Sequence, residues 1–151
     1  MGMPDLSVAE RSIVYELLVY VAWSDGSVAP EERWAVRGAA VALGLDGAGL
    51  VIADALRRGP LPVDDLGLSA LTSEARTVAY ASAAWMTLVD RNIAIEERAV
   101  LHVLRQRLGL SSAQASRLEA IALLTRGQAG RQWHEEYAAL LGSVRALARA
   151  A

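Results

Sequence analysis

Six carboxylates stand in two stretches of the same design. Asp25, Glu31 and Glu32 belong to Asp-Gly-Ser-Val-Ala-Pro-Glu-Glu at residues 25–32, and Asp90, Glu96 and Glu97 to Asp-Arg-Asn-Ile-Ala-Ile-Glu-Glu at 90–97. A loop Asp followed by Glu at a helix start supplies the hard oxygen donors that calcium or magnesium takes. Neither loop is an EF-hand, because the regular run of ligand positions, the central Gly and the Glu at position 12 are missing. Each loop alone holds few carboxylates, so useful affinity needs the two loops to converge on one face. The same residues also have a reading without a ligand. A Glu at the third helical position caps the start and meets the positive end of the helix dipole, each worth typically about 0.5–1 kcal/mol. Asp25 and Asp90 then serve as turn residues.

Other chemistry is narrowly bounded. The chain has no cysteine, which excludes disulfides, thiolate nucleophiles, zinc fingers and iron–sulfur clusters. All 15 basic residues are arginine, which excludes Schiff-base and P-loop lysines. The two histidines, His102 and His134, show no ligand spacing. His134 precedes Glu135 and Glu136, a pair capable of acid–base work, but no nucleophile or oxyanion site accompanies it, and no enzymatic activity is expected. Trp34 follows Glu-Glu-Arg directly and stands opposite Ala99 in the second stretch. It reads either as rim packing or as an anchor for a partner protein. Gly38, Ala39, Ala40 and Ala42 suit a tight helix pair within the domain or a homodimer interface.

The elements that position these residues are helical throughout. Ser7-Val-Ala-Glu10 is a capping box, and apolar residues at helical spacing carry a first helix to about Trp23. That helix is apolar on nearly every side, so it is expected to be central. Pro30 starts a second helix that ends at Gly44. Asp46 caps a third over about 47–58. Gly59-Pro-Leu-Pro62 is the clearest breaker, and residues 64–71 form a short helix or turn. Long helices follow over about 72–89, 95–108, 112–124 and 131–149. The last carries Trp133, Tyr137, Leu140, Leu141, Val144 and Leu147 on one stripe, expected to close the core over both halves. No stretch shows strand alternation.

Setting residues 7–45 against 72–110 without gaps gives ten identities in 39 positions, among them both Glu-Glu-Arg runs and both Leu-Gly-Leu runs. The expected fold is therefore all-α: a single domain of about seven helices built from a duplicated three-helix unit. Repeat one covers about 7–58, the breaker loop 59–66, repeat two about 72–124, and the extra C-terminal helix about 131–149.

An apolar helix ending in Asp-Gly, then an aliphatic residue, Glu seven positions after the Asp, and a helix ending Leu-Gly-Leu resembles the TerB-like (tellurite-resistance) family. The superfamily includes the helical N-terminal domain of DjlA-type membrane co-chaperones. The resemblance covers roughly 7–124. It implies a cytoplasmic helical bundle whose acidic residues bind metal, linked to tellurite resistance, stress response and membrane-associated complexes. Its acidic positions fall on Asp25 and Glu32 and on Asp90 and Glu97. The second loop departs from the pattern, with Arg91-Asn92 in place of a Gly after the Asp, so the first loop is expected to be the stronger half-site.

The functional expectation is a non-catalytic, metal-responsive or stress-associated protein with a divalent cation at its acidic loops. The alternative is a protein–protein interaction module in which those loops are only helix caps. A net charge of −2 argues against a nucleic-acid partner held by phosphate contacts. The first residues lack the pattern of a secretory signal, so the expected location is the cytoplasm.

Overall fold

Ser7 begins the first helix as its sequence predicts. In the computed structural model its Oγ accepts the Glu10 N–H at 3.1 Å, and Glu10 Oε1 accepts the Ser7 N–H at 3.0 Å. Residues 6–24, 26–45, 59–89, 95–127 and 130–150 are described, without the side chains of 95–97 and 150. They form six α-helices: α1 (Val8–Ala22), α2 (Pro30–Ala42), α3 (Ser73–Thr87), α4 (Ile95–Arg107), α5 (Ser112–Arg126) and α6 (Trp133–Ala150). Two single 3-10 turns, Val63–Asp65 and Leu68–Ala70, bridge the breaker to α3. No strand occurs among the described residues. The helix expected over 47–58 and its Asp46 cap lie outside them. No described helix is long and apolar enough to cross a membrane.

Local signals account for the helix ends. Pro30 occupies the first position of α2, where its missing N–H is not needed. Gly44 and Gly109 both take positive φ, 78° and 69°. At each, the glycine N–H donates three residues back and the following leucine N–H five residues back, Leu45 to Ala40 and Leu110 to Arg105, which is the Schellman closure. Ser111 and Gln114 make a reciprocal capping box at α5. The bounds of α3 and α4 lie 65 residues after those of α1 and α2.

Two helices form the centre. α1 buries Val14, Tyr15, Leu17, Leu18, Val19 and Val21, as its all-round apolar pattern predicts. α3 is enclosed further, with every residue from 78 to 87 buried. Its alanines let neighbouring helices approach closely. Its buried polar groups are satisfied: Ser82 Oγ and Tyr137 Oη share a hydrogen bond of 2.6 Å, and Thr87 Oγ1 donates to the Ala84 carbonyl. α6 lays Tyr137, Leu140, Leu141 and Val144 into the core, with Trp133 and Leu147 half-buried at its margins. It packs on α2, α3 and α5, and so closes the bundle over both parts of the chain. Each large apolar side chain removed from water here contributes about 1.5–3 kcal/mol.

Candidate functional site

The first acidic stretch is described in part. Glu32 is 2% exposed, and its Oε1 accepts the Ala29 N–H at 2.8 Å. That bond closes the start of α2, where Ala29 has no side-chain acceptor of its own. Glu31, in the same first turn, is exposed and makes no hydrogen bond or ion pair with a described residue. Asp25 and Asp90, and the side chains of Glu96 and Glu97, lie outside the described residues, as does the Arg91-Asn92 departure. Two of the six proposed cation ligands are therefore placed, and one of these two has an oxygen committed to a backbone N–H. The described residues contain no cluster of three or more His, Cys, Asp or Glu able to hold a metal.

Trp34 is not a core residue: it is 58% exposed. Arg37, one turn on, places its guanidinium 5.5 Å from the Trp34 ring centre, a cation–π distance. Val41, two turns on, is 46% exposed. These side chains share a shallow cleft of about 380 Å³ with Arg131 and the start of α6. Gly38 forms the floor, since a Cβ there would lie 2.6 Å from Trp133 Cβ and 2.7 Å from the His134 nitrogen. Gly38, Ala39 and Ala40 are buried within the chain, so they serve the tight internal helix pair. Arg37 and Val41 follow Trp34 at i+3 and i+7, a spacing visible in the sequence.

The carboxylates beside His134 are engaged elsewhere. Glu136 is 3% exposed. It accepts two hydrogen bonds from Arg126, at 3.0 and 2.8 Å, and one from Trp85 Nε1 at 2.7 Å. Arg126 also lies 4.9 Å from the centre of the Trp133 ring. Glu135 Oε1 accepts the Gln132 N–H and caps the start of α6. Both carboxylates that follow His134 in the sequence thus have structural roles, Glu135 as a cap and Glu136 in the buried network. This buried network joins the ends of α3 and α5 to the start of α6. Sequence reasoning misses it, because Trp85 lies 51 residues from Glu136 and no local pattern links them. His102 is exposed on α4 and lines a cleft with Tyr80 and Glu119.

Comparison of the chain with protein-family models, with curated proteins and with solved structures gave no match.

Proposed function

We propose that this chain is a non-catalytic, TerB-like helical binding module that docks a protein partner on the Trp34 face. The observation that supports it most is the exposure of Trp34 beside Val41, with Arg37 stacked on the ring. A large aromatic left in water on a rigid helix is the residue type that anchors protein interfaces. Among the described residues, the cleft beside it is lined by Arg37 and Arg131 and by no carboxylate, so the partner segment that fits is acidic. In this reading Glu32 acts as a cap, consistent with its bond to Ala29. The duplicated unit belongs to the same proposal. It is supported by helix bounds and Schellman glycines that recur 65 residues apart.

The test is affinity capture with the wild-type chain and the Trp34→Ala variant, followed by competition with a synthetic acidic segment of the captured protein. We expect Trp34→Ala to lose the partner while its stability stays within about 0.5 kcal/mol, as for an exposed side chain. Equal recovery by both chains overturns the docking role.

A second reading retains the divalent cation, because Glu31 is exposed and has no described partner, leaving its carboxylate open to an ion. Calorimetric titration with calcium and magnesium tests it. Absence of heat, or an affinity unaltered by Asp25→Ala and Glu31→Ala, removes the cation from the function.

A further inference from the structure

We propose that the cleft between α3, α4 and α5 is a binding site for a small carboxylate carrying an apolar tail. The cleft encloses about 450 Å³, within the range of about 300–1,000 Å³ typical of small-molecule sites. It is separate from the Trp34 face and does not depend on the docking proposal.

One wall is cationic. Arg98, Leu101, His102 and Arg105 all line the cleft from α4, at the i, i+3, i+4 and i+7 spacing that puts side chains on one helical face. Arg98 is exposed and makes no hydrogen bond or ion pair with a described residue. Arg105 donates one N–H to the Leu110 carbonyl at 3.1 Å, and a guanidinium has five donors. The other wall holds Glu119, the single carboxylate among the described residues of the lining. Glu119 Oε2 accepts the Tyr80 hydroxyl at 2.8 Å. Burial, with Glu119 as its acceptor, pushes the Tyr80 hydroxyl well above the ordinary tyrosine range, so the phenol stays neutral and adds no negative charge. Among the described residues of the lining, two guanidiniums therefore face one carboxylate already hydrogen-bonded to a phenol. The excess favours an anion, and the planar fork of arginine matches a carboxylate.

The remaining lining is mixed: the apolar side chains of Ala84, Leu88, Leu101 and Leu123 stand beside the hydroxyl residues Thr87, Ser112 and Ser116, with Leu123 exposed at 62%. Packing does not demand this opening. The positions 65 residues before Leu101 and Arg105 are Val36 and Ala40, and both are fully buried. Where α2 sets an alanine into the core, α4 carries an arginine beside a cleft. A cationic wall beside these apolar side chains suits a ligand with one charged end and one apolar end, such as a short fatty acid or an aromatic acid.

The test uses the full chain and sodium octanoate as probe, with acetate and octanol as controls. Amide shifts in ¹⁵N spectra and calorimetry are the readouts. We expect saturable octanoate binding with Kd below about 1 mM, and shifts concentrated in α3, α4 and α5 around the cleft. Acetate and octanol should each bind at least about tenfold more weakly, since each lacks one of the two recognised ends. Arg98→Gln alters an exposed side chain and should weaken octanoate by about tenfold with an unchanged melting temperature. Leu123→Glu, also exposed, places a carboxylate at the mouth and should abolish binding. No saturation by octanoate, octanol or acetate binding as well as octanoate, shifts away from the cleft, or undiminished affinity in both variants would overturn the site.

Discussion

Glu10 accepts the Ser7 N–H with one carboxylate oxygen and the Thr72 N–H with the other, at 3.0 and 2.9 Å. Thr72 is itself the N-cap of α3, its Oγ1 accepting from Ala75. A single buried side chain therefore ties the starts of the two central helices together. The Thr72 backbone N–H first, then that of Ser7, holds the Glu10 carboxyl below the ordinary glutamate value of 4.5, and burial opposes them. The folded chain keeps Glu10 ionised at a pH where the unfolded chain protonates it. Its contribution to stability is complete above the unfolded value and is lost as pH falls through the lower folded value. Glu10→Gln should therefore show a shallower loss of stability than the wild type as pH falls below the ordinary glutamate value of 4.5, read from urea midpoints. At neutral pH it should cost about 1–3 kcal/mol for the weakened charged hydrogen bonds. Parallel pH profiles would contradict this role. Glu136 presents the stronger case of a buried charge. Removing it in Glu136→Ala leaves Arg126 Nη1 and the Trp85 N–H without their acceptor, while Arg126 Nε keeps the Leu88 carbonyl. Thermal denaturation should show a loss of about 3–5 kcal/mol.

Contacts between helices depend on single positions that neither helix reveals alone. Gly38 in α2 faces the Cβ of Trp133 and the backbone of His134 at the start of α6. Alanine would improve helix propensity by about 1 kcal/mol, yet its methyl would meet backbone atoms that cannot turn away. Overpacking of this kind costs about 1–3 kcal/mol, so Gly38→Ala should destabilise the chain. Gly142 in α6 is the matched control. Nothing lies within 4 Å of a Cβ built there, and Gly142→Ala should be neutral or stabilise by up to about 1 kcal/mol. Chemical denaturation of the two variants gives opposite signs if close approach decides the effect, and the same sign if it does not. Several helix boundaries were legible in advance, from Ser7 with Glu10, from Pro30 and from Gly44. Each is a cap or stop whose partners lie within about five residues. The start of α6 was less legible. The sequence suggests 131, but the helix begins at Trp133, after Glu135 has capped the Gln132 N–H.

At the scale of the molecule, α6 couples parts of the chain that are distant in sequence. It packs on α2, α3 and α5, while Glu10 joins α1 to α3. Moving α6 off the bundle uncovers α2, α3 and α5 together. Urea unfolding should accordingly be a single transition, with tryptophan fluorescence and far-ultraviolet circular dichroism coincident. Two separated transitions would show that the halves fold independently. The sequence by itself determined the helical class, the breaker at Gly59-Pro-Leu-Pro62, the caps and the apolar stripe of α6. These rest on periodicity and on bonds between near neighbours, which a one-dimensional reading can follow. Tertiary structure alone decided that Trp34 faces water, that Glu136 belongs to Arg126 and Trp85, and that α4 borders an open cleft. Glu10 shows both levels in one residue. Its bond to Ser7 spans three residues and was legible, whereas its bond to Thr72 spans 62. Which donor a side chain meets at that separation is set by the packing of whole helices, and no local pattern encodes it.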